Sequence, residues 1–381
     1  MSRLWGRFKL WLLSAAWAWF LVLASSLALR KRMSHNNGVS ARGRLRLNAK
    51  LDIPQHPFFK PGTEWPCRVR HSSVSYDDDT VIQVRAASLK LADASWESPL
   101  DLEFNTGRIS LFWSAANFAE FFLSKSRVDG IPCDFVKFYR KYPRGLVAAL
   151  DGIRDNPESF SGMRYHSQVA QRFVGTDGKL RYAMYRLLPE NDGPETGVVE
   201  SIPSTAQYAP FWSEDRRPGE TRSSNYLKDE FRERLNRTPI RYKLQIQLRE
   251  PAVAGAADPV ASEDPEVFNC NKTWDEEKYP YVDLGVVELT ECLTYEENQL
   301  MRFALKNTPP SLGNLPSWSA SDYNSVVYMR NKSSPAKAAR ILAYKLFGIP
   351  KPLPAVGGSG GSEGPGSAGS AGGTEGGSRP Q

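Results

Sequence analysis

The sequence predicts an α+β fold, rich in antiparallel strands and preceded by an N-terminal hydrophobic helix. Three observations carry this. Runs such as Gly43-Arg-Leu-Arg-Leu-Asn-Ala-Lys-Leu51 and Arg241-Tyr-Lys-Leu-Gln-Ile-Gln-Leu248 alternate polar and apolar residues, the period of a strand with one buried face. Between them, Asn225 to Leu235 places apolar residues at helical spacing. Residues 10 to 29 carry no charge at all and are long enough to cross a bilayer.

That first segment is flanked by Arg3, Arg7 and Lys9 on one side and Arg30-Lys31-Arg32 on the other. It predicts a single-pass membrane anchor; a cleaved signal peptide leading into the secretory pathway is the alternative, and a buried or surface-lying helix a third. Basic residues at both ends leave the orientation open. Next, Gly38 and Gly43 flank the start of the alternating run, as suits a backbone that turns into a strand and must approach another group closely. Phe160 to Gln168 and Phe173 to Leu187 read as two strands joined by the Asp177-Gly178 turn. Pro251 to Pro265, polar and rich in Ala and Pro, reads as a surface insertion between two core strands, and the Gly/Ser-rich end as a flexible tail. The predicted division is therefore 1–32 hydrophobic segment, 33–350 folded domain and 351–381 tail. A closed barrel with accompanying helices fits that length.

Histidine is scarce, limited to His35, His56, His71 and His166, so imidazole chemistry has few candidates. The segment His35-Asn-Asn-Gly38-Val-Ser-Ala41-Arg-Gly43 resembles the distal-histidine segment of haem catalases, H-A-K-G-x-G-A-x-G. Cys67-Arg-Val-Arg70-His71-Ser72-Ser73-Val74 resembles the family's V-R-F-S-T-V strand, with Arg70 and Ser72 on its arginine and serine. Leu100-Asp-Leu-Glu-Phe-Asn105-Thr106 resembles the strand ending in N-N-T-P, and Asn105 takes the distal asparagine's place. Near the other end, Arg340-Ile-Leu-Ala-Tyr344 resembles the proximal R-x-x-x-Y, whose two side chains share one helix face. Trp274, Tyr279-Pro280 and Val282 to Leu289 add a further segment in the family's order, so the resemblance runs from about Ser34 to about Tyr344.

The resemblance implies a catalase-like antiparallel β-barrel with surrounding helices that binds haem b through its iron. It implies His35 and Asn105 as catalytic residues, Arg70, Ser72, Arg340 and Tyr344 as cofactor-binding residues, and Tyr344 as the metal ligand. A phenol serves as an anionic ligand only where a positive group favours its charged form, and Arg340 is placed to do so. Tyr328, before Met329-Arg330, is a rival ligand, and Lys345-Leu-Phe-Gly after Tyr344 departs from the family's pattern. The substrates implied are hydrogen peroxide or fatty-acid hydroperoxides. Ser34 stands where catalases carry valine and the catalase-related allene oxide synthases carry threonine; a hydroxyl there able to reach the imidazole favours the organic hydroperoxide. The alternative is a catalase-fold binding or assembly module without haem activity, because fold does not certify chemistry.

The net charge of +7 comes from scattered basic residues without interleaved aromatics, which argues against nucleic acid as a partner. Arg30 to Arg32 with Arg42, Arg44 and Arg46 suit anionic lipid headgroups instead. Cys67, Cys133, Cys270 and Cys292 show neither metal-binding nor disulfide spacing. Sequons at Asn236, Asn271 and Asn331 permit a secretory location without requiring it. Oligomeric state stays open, a homo-oligomer included.

Overall fold

The computed structural model describes residues 2–125, 138–139, 141–200, 216–253 and 258–357. Cys133, part of the Pro251–Pro265 insertion and most of the tail lie outside the described residues. The strands are β1 Gly38–Leu47, β2 Glu64–Ser73, β3 Gln83–Lys90, β4 Asp101–Thr106, β5 Ile153–Arg154, β6 Tyr165–His166, β7 Gln171–Val174, β8 Leu180–Pro189, β9 Ile240–Arg249, β10 Tyr281–Cys292 and β11 Leu312–Asn314. The helices are α1 Ser2–Val22, continued by a π-helical turn Leu23–Ala28, then α2 Ala115–Lys125, α3 Pro143–Gly152, α4 Tyr226–Arg237, α5 Pro259–Ser262, α6 Tyr295–Leu300, α7 Ser325–Lys332 and α8 Ser334–Phe347.

Pairing runs β8-β6-β4-β3-β2-β1-β10-β9 and returns from β9 to β8, which closes an antiparallel barrel and leaves no open edge on that circuit. The alternation anticipated in β9 is realised: Tyr242, Leu244 and Ile246 are fully buried in the core, while Arg241 and Lys243 point outward. Leu227, Phe231 and Leu235, one stripe of α4, join the same core. His71 of β2 is buried there too, stacked on Phe160 with ring centroids 5.4 Å apart and its Nε2 2.9 Å from the Tyr242 hydroxyl.

Two local expectations need correction. The alternation of β1 was expected to continue to Leu51, but the strand ends at Leu47, with one further bond to β10 from the Asn48 N–H to the Leu284 carbonyl. The Asp177-Gly178 turn, with Gly178 at φ +70°, joins β7 to β8; of the stretch Phe160 to Gln168 only Tyr165–His166 pairs as a strand, and Phe160–Gly162 forms a 3-10 turn capped by the Ser159 hydroxyl. The other anticipated strands and the helices α4 and α8 stand within a few residues of where the sequence put them.

Helix α1 does not stand apart from the domain. Leu10 shares a buried cluster with Ala115 of α2 and Met329 of α7, and Trp17 meets Phe118 and Phe122 edge-on at 5.4 and 4.7 Å. Asn271, one of the three sequons, is buried with its amide donating to the Ser110 carbonyl, so that sequon is closed to glycosylation in the folded chain.

Candidate functional site

The loop entering β1 presents His35. Its backbone sits in the left-handed region, φ +57°, a conformation that a non-glycine residue keeps only when its surroundings hold it. They do: the His35 N–H donates to the Val74 carbonyl at 2.9 Å, and the next two residues are tied down by Asn36 and Asn37 amides donating to Asp77. The imidazole Nδ1 lies 3.2 Å from the Ser72 hydroxyl, and Ser72 is the register partner of Gly38 across β1 and β2. Gly38 has no room for a side chain, since a Cβ there would stand 2.4 Å from the His71 carbonyl oxygen and 2.8 Å from an Arg70 nitrogen. The close approach read from that glycine is thus to the arginine of the site.

Burial pushes the His35 imidazole down to about 3; Arg70 adds to the effect, Glu103 opposes it, and Arg330 and Arg32 add to it again. The ring is therefore neutral throughout the physiological range. Asn105 and Glu103 lie two apart on β4 and so share a strand face. The Asn105 amide donates to the Gln168 side-chain oxygen at 3.3 Å. Glu103 pairs with Arg330 of α7 and with Lys337 of α8, the latter at 3.4 Å. Burial works to raise its carboxyl, but Lys337 and Arg330 outweigh it and hold the group at about 2.

Arg340 and Tyr344 are both buried on α8, with the guanidinium carbon 4.9 Å from the centre of the phenol ring. Arg70 and, unexpectedly, Arg32 converge on the same place. All three guanidiniums rest on one short segment around α6. Arg32 donates to the carbonyls of Asn298, Gln299 and Met301 and to the Gln299 side chain; Arg340 donates to the Gln299 carbonyl at 2.9 Å; Arg70 donates to the Asn298 side-chain oxygen at 2.9 Å. These acceptors are neutral, and the carbonyls include those left over at a helix end. Burial lowers Arg70 to about 9, with Arg340 repelling it and Tyr344 opposing the shift. Arg32 and Arg340 are lowered by burial as well, Arg32 further by repulsion from Arg340 and Arg70, and Tyr344 offsets part of the shift in each. Two buried cations, Arg70 and Arg340, and the half-buried Arg32 gather around one phenol, hydrogen-bonded among the described residues only to neutral acceptors, and form a donor set for anions.

Arg70 thus links the two halves of the candidate site, acting on the His35 imidazole beside Ser72 and lying within electrostatic reach of the Arg340–Tyr344 pair, with Asn105 beside Glu103 on one face of β4. The rival Tyr328 packs instead beside Leu10 and Met329 against α1, away from the arginine cluster. Ser34 must be corrected: it is exposed, and the serine that partners the His35 imidazole is Ser72, because the left-handed turn at His35 directs its predecessor outward. Sequence reasoning had read Arg32 only as part of a basic flank and had missed Glu103, Asn298 and Gln299. The capping box Thr294-x-x-Glu297, which opens α6, was the signal available for that segment.

Over 329 residues the chain is 30% identical to the allene oxide synthase-lipoxygenase protein of Plexaura homomalla, covering 86% of this chain and 30% of that protein. It is also 30% identical over 277 residues to the linolenate 9R-lipoxygenase of Nostoc sp., covering 70% of this chain and 33% of that one. The chain spans about a third of the length of both relatives. A fungal catalase superposes with a TM-score of 0.60 at 17% identity, over 84% of this chain and 60% of the catalase. No family model matches the chain.

Proposed function

Since this chain belongs to the catalase-like superfamily, we propose that it is a membrane-associated haem protein that decomposes or converts peroxides, either hydrogen peroxide or fatty-acid hydroperoxides. The observation carrying this reading is the trio of guanidiniums around Tyr344, those of Arg70 and Arg340 buried and that of Arg32 half-buried. Arg32, Arg70 and Arg340 repel one another and rest on neutral acceptors, so a bound dianion such as the paired propionates of haem b would relieve them.

In this reading Tyr344 supplies the iron ligand, and Arg340 the positive charge that a phenolate ligand needs. Bound there, haem supplies the redox-active iron at which a peroxide O–O bond breaks. His35 moves the proton. Its neutral imidazole takes it from one peroxide oxygen and returns it to the other, which requires a free Nε2 lone pair; a hydrogen on Nδ1 donated to Ser72 Oγ fixes that tautomer. The Asn105 amide orients the peroxide, and the apolar first helix associates the domain with a membrane.

Purified protein is expected to show a stoichiometric Soret band that Tyr344→Phe loses or shifts, and to consume hydrogen peroxide or a fatty-acid hydroperoxide. A colourless protein that haem does not reconstitute would instead establish a non-catalytic binding scaffold.

A further inference from the structure

From Leu10 on, helix α1 and its π-helical continuation carry no charged residue and set apolar side chains on both the inward and the outward face, a composition that demands cover on both. The inward stripe has cover: Leu10, Ser14 and Ala18 are buried against the domain. Among the described residues the outward stripe has none. Trp5, Phe8, Leu12, Trp19 and Leu23 are 58, 48, 53, 67 and 55% exposed. Where the π-helical turn ends, Arg30 donates to the carbonyls of Phe347 and Gly348, which sets this surface beside the exposed Leu346 and Phe347 of α8. Charge then identifies the cover. Helix α1 itself carries Arg3, Arg7 and Lys9, all exposed, and no Asp or Glu. Such a helix is complementary to anionic headgroups, and tryptophans along the outward face suit the boundary between headgroups and acyl chains, whereas Lys31, Arg42, Arg44 and Arg46 are taken up by Asp77, Glu297 and Glu64, and Arg30 and Arg32 by carbonyls.

We propose that α1 lies flat on the membrane, docked along its length between the domain on one side and an anionic bilayer on the other, in place of crossing it. Crossing would strip Leu10 from Ala115 and Met329 and Trp17 from Phe118 and Phe122, uncovering apolar surface on α2 and α7. Lying flat keeps those contacts and covers the outward stripe as well. The helix that carries Tyr344 then sits directly behind the membrane-facing one. This deepens the membrane part of the proposed function and does not depend on haem.

Full-length protein is mixed with vesicles of phosphatidylcholine, with and without phosphatidylserine, and spin labels at Phe8→Cys, Leu12→Cys and Leu23→Cys report depth. The expected result is flotation with the serine lipid, weakened by high salt, with the three labels at one shallow depth. Leu12→Glu, on the outward stripe, should weaken partitioning about tenfold or more while thermal unfolding and haem content stay at wild-type values. Depths that run from one headgroup region through the bilayer centre would overturn the proposal in favour of an anchor. Absent flotation, with a dimer in light scattering that Leu12→Glu dissociates, would overturn it in favour of a second copy. Wild-type haem content without flotation would sink the docking alone and leave the haem reading standing.

Discussion

His35 occupies a left-handed backbone position that four contacts hold: Val74, Ser72 and, through the next two residues, Asp77. Strain of this kind is kept where a side chain must face one direction. If His35 is the proton carrier, His35→Gln should lower peroxide turnover roughly 10²–10⁴-fold with haem content unchanged, since general acid–base transfer contributes about that much. Its pKa near 3 also fixes the pH response. The free-base form persists from alkaline pH down to strongly acid conditions, so the turnover profile should show no limb near pH 6.5; a limb there in stopped assays would assign the proton transfer to another group. His35, Ser72 and Asn105 were legible because each lies within a short motif. Ser34 was misread because nothing local announces the turn that sends it to solvent.

At the level of elements, α6 is the least conspicuous part of the sequence and the most connected part of the site. Its Asn298 takes a hydrogen bond from Ser40 at 2.6 Å and another from Arg70, and gives one to the Gly38 carbonyl at 3.0 Å, all in buried surroundings. Asn298→Ala strands those groups, so urea denaturation should show a loss of roughly 1–3 kcal/mol, the usual cost of buried polar groups left unpaired. Haem retention should fall with it, because Arg70 loses the partner at its Nε. Gly38→Val tests the other wall: overpacking against the His71 carbonyl and Arg70 should cost about 1–3 kcal/mol by the same measurement. The strands were legible from alternation, and α8 from the four-residue spacing of Arg340 and Tyr344. α6 is six residues long and polar, too short for any periodicity to mark its buried face.

For the molecule as a whole, the four histidines act together. Burial lowers His35, His71 and His166 to about 3 and His56 to about 4. Unfolded, each titrates near 6.5. Above that pH both states are neutral and the imidazoles leave stability unchanged with pH. As pH falls below about 6.5 the unfolded chain binds protons that the folded chain refuses, so stability should decline until about pH 3 to 4. Melting temperatures measured from pH 8 down to pH 4 should therefore fall, and His166→Phe should make the slope shallower; an unchanged slope would show that other groups govern the acid limb.

The sequence by itself determined the strand-rich fold, the choice of His35 and Tyr344 as candidates for the site, and an apolar, acid-free stretch before the first strand, because each is written in neighbouring residues. Only the tertiary structure decided that Arg32 belongs with Arg70 and Arg340, and that the first helix is sheathed by the domain along one side. Arg32 meets its partners on α6 across 266 to 269 residues that include the whole barrel, and a contact across that much chain leaves no mark on local periodicity.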